Sequence, residues 1–367
     1  MGFDLPPLAA AIPLAPAADG LGAVEANPME LSPVEPVAAE AVAVEPLAVE
    51  PLAVDPLAVA AFFAENAAPA ISPETWGLAP PRLDWRIGPV PAVRRALSEL
   101  AERAAAIAAA ASAEPHKAVH AQRRTLRRGR ALLRLLGPCM AAAQAKDWLG
   151  RLGEASRQLG VFRDADVLPA ALRLLGNADR DAVAQLREQL SADRDAARAD
   201  PNAILQVRST ADVLLSVALE AQGAELELSP PKLARSLQAS MRRARALARQ
   251  ANKHPRPEAV HELRKRAKDL RHQLEWLGVR SGDEALDGLV DWLGDLGEVA
   301  DLLALQAWLK ERSSRTPQRG EILLALRLSK AKRARRCLRD AKVALPGHAK
   351  RRARAIVVAA LARELPA

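Results

Sequence analysis

Residues Glu258–Gly278 read EAVHELRKRAKDLRHQLEWLG. Val260, Leu263, Ala267, Leu270, Leu274 and Leu277 recur at steps of three and four, the spacing of a helix with one buried side. One residue further on, about 100° round the helix, a second row begins. It consists of His261, Arg264, Lys268 and Arg271, with Lys265 beside it. The cations therefore flank the apolar seam and do not lie opposite it. Basic residues on a fully solvated face would not need that placement, although long side chains can also snorkel over the edge of a seam.

The pattern occurs twice. AVHAQRRTLRRGRALLRLLG (118–137) aligns without gaps with AVHELRKRAKDLRHQLEWLG (259–278). His120, Arg123, Arg127 and Arg130 fall opposite His261, Arg264, Lys268 and Arg271, and Arg134 extends the first row. The first seam is Val119, Gln122, Leu126, Gly129, Leu133 and Leu136, in which Gln122 and Gly129 are weak members. A second match follows, LGVFRDADVL (159–168) against LGEVADLLAL (296–305). It aligns Asp164 with Asp301, 44 and 40 residues after the respective His, and sets Arg163 against Ala300. Two elements repeated in order imply a duplicated helical unit of about 140 residues.

Composition agrees. Aromatic residues make up 3% of the chain and Tyr is absent, so the core must be built from Leu, Ala and Val. These favour helix over strand. Stop and start signals at Pro115, Gly137-Pro138, Pro201, Pro230-Pro231, Pro255, Pro257 and Pro346-Gly347 divide the chain into helices. The prediction is helices over 90–113, 116–136, 139–160, 164–176, 179–199 and 203–222. A second set follows over 230–252, 257–278, 283–297, 299–312, 317–343 and 347–364. Long helices joined by short loops predict bundles. The expected organisation is an arm over 1–84, a first bundle over 85–225 and a second over 226–367.

The arm differs in kind. Residues 1–81 hold fourteen of the 27 prolines and eleven acidic side chains, with no Lys or Arg. Glu35, Glu40, Glu45, Glu50 and Asp55 follow a five-residue period in VEPVAAEAVAVEPLAVEPLAVDPLAV. Proline at this density excludes helix and sheet ladders, so the reading is a disordered Pro/Ala/Val/Glu-rich segment. A spacer, an internal competitor for the basic surface and an apolar contact with a partner all remain open for it. The rest of the chain carries the whole net charge of +9 plus the eleven charges the arm offsets. Arg outnumbers Lys 42 to 11; codon bias in a GC-rich genome accounts for much of that ratio but not for where the charges sit. The guanidinium fork suits phosphate oxygens. Several spaced cations suit an extended polyanion better than one small phosphate. The segments RSLQASMRRARALAR (235–249) and RLSKAKRARRCLRDAK (327–342) add basic surface.

Other classes find little support. Cys139 and Cys337 form neither a disulfide framework nor a metal motif, and read as buried thiols. Neither His120 nor His261 has a His or Cys three or four residues after it, so no metal site is predicted. Each His either bonds a neighbouring helix or donates to a bound phosphate. There is no nucleophile elbow, P-loop or carboxylate pair for a metal, and Asp164 and Asp166 have no evident partners. The expectation is a non-enzyme without a cofactor. Nucleic-acid binding is the alternative that the basic charge permits; the scarcity of aromatics leaves no stacking platform for it. No run of about 18 apolar residues predicts a membrane span, and the N-terminus makes a poor signal peptide. The expected location is cytoplasmic.

The doubled His-x-x-Arg-(x)3-Arg/Lys-x-x-Arg pattern in HAQRRTLRRGR and HELRKRAKDLRH, with RDADV and EVADL downstream, resembles the CHAD family, the conserved-histidine α-helical domain. The resemblance extends over roughly residues 85–365. It implies two four-helix bundles related by a pseudo-two-fold around a basic channel. It also implies binding of inorganic polyphosphate and association with polyphosphate granules, with some members linked to polyhydroxyalkanoate granules. The implied ligand-binding set is His120, Arg123, Arg127, Arg130, Arg134, His261, Arg264, Lys265, Lys268 and Arg271. Arg163, Asp164 and Asp301 would orient these cations or cap a helix. His272 departs from the family pattern, which favours an aromatic there. The triphosphatase domain that precedes many relatives, with its Glu-x-Glu-x-Lys motif, is not expected within residues 1–116, which hold no Lys.

Overall fold

The computed structural model describes residues 82–175, 180–254, 256–280, 282–311, 319–345 and 348–362. The acidic repeat of the arm lies outside the described residues. Among the described residues there are eleven α-helices and no strand. The first half holds α1 (Pro89–Ala109), α2 (Pro115–Leu136), α3 (Ala142–Gln158), α4 (Gly160–Ala171), α5 (Arg180–Ala199) and α6 (Asn202–Gly223). The second holds α7 (Pro230–Lys253), α8 (Pro257–Trp276), α9 (Glu284–Glu311), α10 (Arg319–Ala344) and α11 (Ala349–Ala362). Pro89, Pro115, Pro230 and Pro257 each open a helix, where the missing N–H would be unpaired in any case. Just past the end of α8 stands Gly278, whose φ of 75° is left-handed. The Gly278 and Val279 N–H groups donate to the Glu275 and Leu274 carbonyls, closing the last turn.

Helices α1, α2, α3 and α6 pack as one bundle, and α7, α8 and α9 form the second, with α11 laid on α7. The halves meet where α2 packs on α7 and α8, and where α4 packs on α9. Both repeat seams are buried throughout, from Val119 to Leu136 and from Val260 to Leu277. The main apolar cluster runs from Leu83 to Ala360 and takes in both halves. A smaller one joins Leu168, Leu172 and Leu186 to Leu302, Leu309 and Ile322 across the halves. The apolar interior thus runs across the midpoint of the chain.

The two weak members of the first seam have different explanations. Gly129 is a point of close approach: a β-carbon there would stand 3.3 Å from Leu152 Cδ1 and 3.5 Å from Leu214 Cδ2. Gln122 is fully buried, and neither polar atom of its amide has a hydrogen-bond partner among the described residues. A buried unpaired amide costs about 1–3 kcal/mol. Leu263 fills the equivalent place in α8. Gln122→Leu is therefore expected to raise the unfolding free energy by about 1 kcal/mol, read from urea denaturation.

The observed fold departs from the sequence reading at two places. Arg82–Asp84, expected to end the arm, belong to the folded part. Leu83 is 1% exposed and its N–H donates to the Trp276 carbonyl at 3.0 Å. Second, the predicted pair of helices at 283–297 and 299–312 is one helix, α9. Leu286, Leu289, Leu293, Leu296, Ala300 and Leu303 are all buried, so one seam runs unbroken past Gly294 and Gly297. That burial outweighs a helix penalty of about 1 kcal/mol per glycine. Cys139 and Cys337 are free and buried, and burial pushes the Cys337 thiol up to about 12.

Candidate functional site

Helices α2 and α8 carry the repeated stripes, and they touch. Trp276 Nε1 donates to the Arg128 carbonyl at 3.0 Å, and Gln273 Nε2 to the Ala131 carbonyl at 3.4 Å. Arg134 Nη1 stands 2.8 Å from Asp269 Oδ2, an ion-pair distance, though off the angle of a hydrogen bond. At the related position the Glu275 carboxylate lies near Arg128. In the repeat alignment Asp269 corresponds to Arg128 and Glu275 to Arg134. Helix α8 thus supplies both acids and α2 both cations, which sets opposite charges against each other at these two related positions.

From this contact a cleft of about 190 Å³ opens between the helices. Arg123, Arg127, Arg130 and Arg134 line it from α2. His261, Arg264, Lys265 and Lys268 line it from α8. The two stripes face one space. Arg266 also lines it and was not anticipated; it sits five residues after His261, off the stripe. It is held there by Glu262 at 2.7 Å and Asp269 at 3.5 Å. Among the described residues, eight Arg or Lys side chains therefore meet two acids at the cleft, Glu262 and Asp269. Burial pushes the Arg130 and Arg134 guanidinium groups below their ordinary pKa; Asp269 opposes that shift and Arg266 adds to it. Arg130 Nε is buried without a hydrogen-bond partner among the described residues. Like charges held together and partly desolvated are costly unless an anion offsets them.

Glycines lie against two of the arginines, most closely at Gly297. A β-carbon on Gly160 would stand 3.6 Å from Arg123 Nη1, and one on Gly297 would stand 3.2 Å from Arg264 Nη2. These two glycines are equivalent in the repeat, as are the two arginines. Arg123 Nη1 also donates to the Ser156 carbonyl at 3.0 Å, and Arg264 Nη1 lies 3.5 Å from Asp301 Oδ1. Asp301 thus stands beside a stripe cation.

Two stripe residues lie off the cleft lining. His120 Nε2 lies 3.0 Å from Asp166 Oδ2, and Asp166 also accepts from Arg198 at 2.9 Å. Asp166, which the sequence left without a partner, has two. Arg271 donates to Glu275, its neighbour one turn on, at 2.8 Å. Burial would raise the Glu275 carboxyl, but the bond from His272 and the charge of Arg271 hold it at about 2. His272, in the family's aromatic position, is buried against Glu275 at 2.7 Å, and burial lowers its pKa. The Arg163 and Asp164 side chains lie outside the described residues. Among the described residues no three His, Cys, Asp or Glu side chains group to hold a metal ion. No described helix is long and apolar enough to cross a membrane.

Comparison with known proteins adds a family. The CHAD domain pattern matches residues 91–289, more than half of the chain, and takes in both stripes. No curated protein sequence matches. Among solved structures, the crystal structure of the CHAD domain from the plant Ricinus communis is similar at 22% identity. That match covers 73% of this chain and 92% of the plant chain, with a TM-score of 0.46.

Proposed function

The chain belongs to the CHAD domain family, and on that premise we propose that it binds inorganic polyphosphate in the α2/α8 cleft without chemically altering it. The observation that supports this most is the convergence of eight cations from both repeats on one cleft with two acids. Arginines supply paired donors to phosphate oxygens, and Lys265 and Lys268 supply point charge. His261, exposed at the cleft, is a further donor. In this reading Asp269 and Asp301 orient Arg134 and Arg264, while His120 and Arg271 act at the margins through their carboxylate partners. Association with polyphosphate granules follows from the same binding.

Titration with labelled polyphosphate over a range of salt tests the reading. Log affinity is expected to fall linearly with log salt, with a slope of roughly −4 to −6, if most of the cleft cations each neutralise a phosphate. Duplex DNA at equal phosphate concentration is expected to leave polyphosphate bound; displacement by DNA would move the assignment to nucleic acid.

A second test uses the glycine beside Arg264. Gly297→Leu puts side-chain atoms where the guanidinium now lies. It also improves helix propensity by about 1 kcal/mol. The expected result is roughly tenfold weaker polyphosphate binding, measured by fluorescence anisotropy, with no loss of thermal stability.

A further inference from the structure

A second arginine-lined cavity, of about 330 Å³, shares no residue with the first cleft. Arg82, Arg86, Arg95, Arg103 and Arg128 surround it, together with Asp84 and Glu99. The acids are already engaged. Asp84 accepts from Arg86 through both oxygens at 2.8 Å, and Glu99 from Arg95 at 3.0 Å. Of the other three arginines, Arg103 and Arg128 make no ion pair among the described residues.

Arg128 is the unusual group. It is 6% exposed, and its Nε has no hydrogen-bond partner among the described residues. Burial depresses its pKa to about 10, and Arg103, Arg124 and Arg271 push it the same way. Glu275 opposes this, and Glu275 already accepts from Arg271 and lies 2.7 Å from His272. Arg103 is likewise lowered by burial; Glu99 opposes that shift and Arg124 adds to it. A buried guanidinium among three others, whose acidic neighbour Glu275 is shared with Arg271 and His272, is only partly offset.

We propose that this cavity is a second oxyanion site, which holds one phosphate-class group between the Arg103 and Arg128 guanidinium groups. A tetrahedral oxyanion offers enough acceptors for both forks at once. The rim acids Asp84 and Glu99 disfavour a long polyanion running through it. The ligand is also not a nucleotide: among the described residues the aromatic lining the cavity is Trp276, which is fully buried, so no ring face is open for a base. Two sources share this chemistry, free orthophosphate and the terminal group of a polyphosphate chain.

Calorimetric titration of the full chain with orthophosphate tests the site. Charge reversal by Arg127→Glu/Lys268→Glu silences the first cleft, so failure there and failure here are separable. In that background orthophosphate is expected to bind at one equivalent. Adding Arg103→Gln/Arg128→Gln is expected to weaken that binding at least tenfold. Arg128→Met should also melt no lower than the parent in phosphate-free buffer, since it removes a buried charge that Glu275 only partly offsets, and should lose the rise in melting temperature that phosphate gives. If Arg128 variants do not fold, the half-buried Arg103→Gln alone carries the same comparison. Long-chain polyphosphate that displaces orthophosphate in the silenced background identifies the chain end as the source; failure to displace identifies free phosphate. Binding unchanged by Arg103→Gln/Arg128→Gln, or absent once the first cleft is silenced, would overturn the proposal.

Discussion

Arg127→Glu/Lys268→Glu is expected to weaken polyphosphate binding by roughly a hundredfold or more at physiological salt. The two residues come from opposite walls of the cleft and sit at equivalent places in the repeat. Reversing both removes two of its eight Arg and Lys charges and doubles its acids. Every phosphate that the variant leaves unneutralised keeps its condensed counterions, so the salt slope should become shallower by about 1.5–2 units. Both side chains are only half-buried, and the seams behind them are untouched. The variant should therefore keep its helical circular dichroism and melt within a few degrees of the parent. Unchanged affinity in a folded variant would remove the cleft from the account.

Trp276→Ala is expected to have the largest effect on stability. The side chain is fully buried at the C-terminal end of α8, and its indole N–H donates to the Arg128 carbonyl of α2. Its own carbonyl accepts from Leu83, which anchors the N-terminal segment. Truncation of a buried Trp to Ala costs about 3–5 kcal/mol. For a folded region of this size that is a drop of roughly 10 °C in melting temperature, measurable by calorimetry. Because Trp276 joins the two halves, polyphosphate affinity should fall as well. Loss of stability with unchanged affinity would mean that the cleft does not depend on how the halves dock.

The residues that were legible in the sequence are those set by periodicity within one helix. Val260 to Leu277 and Val119 to Leu136 alternate by three and four, and each is buried where that rhythm puts it. The cation rows follow from the same rhythm shifted by one. Periodicity states which side of a helix is apolar; it does not state which neighbour covers it. That is why Arg266 was missed. Its place in the cleft depends on Glu262 and Asp269, not on the stripe. It is also why the contact of His120 with Asp166, a residue of another helix, was not readable from the repeat. The withdrawal of Arg271 toward Glu275 was readable in principle, because the two are four residues apart on one helix. The exchange of Arg128 and Arg134 for Asp269 and Glu275 gains meaning only once α2 and α8 are known to pack on each other.

The continuity of α9 teaches a related point. Gly294 and Gly297 weaken a helix locally, and a local reading divides it there. The unbroken run of buried residues from Leu286 to Leu303 overrides them, and Gly297 leaves the space that Arg264 occupies. A residue that looks like a break is here a fitting for a side chain of another helix.

The most direct test of the central claim is a crystal structure of the full chain grown with short-chain polyphosphate. The account predicts phosphate density along the α2/α8 cleft, within hydrogen-bond distance of Arg127 on one wall and Lys268 on the other. A chain ordered over the basic surfaces of α7 or α10, with the cleft empty, would contradict it.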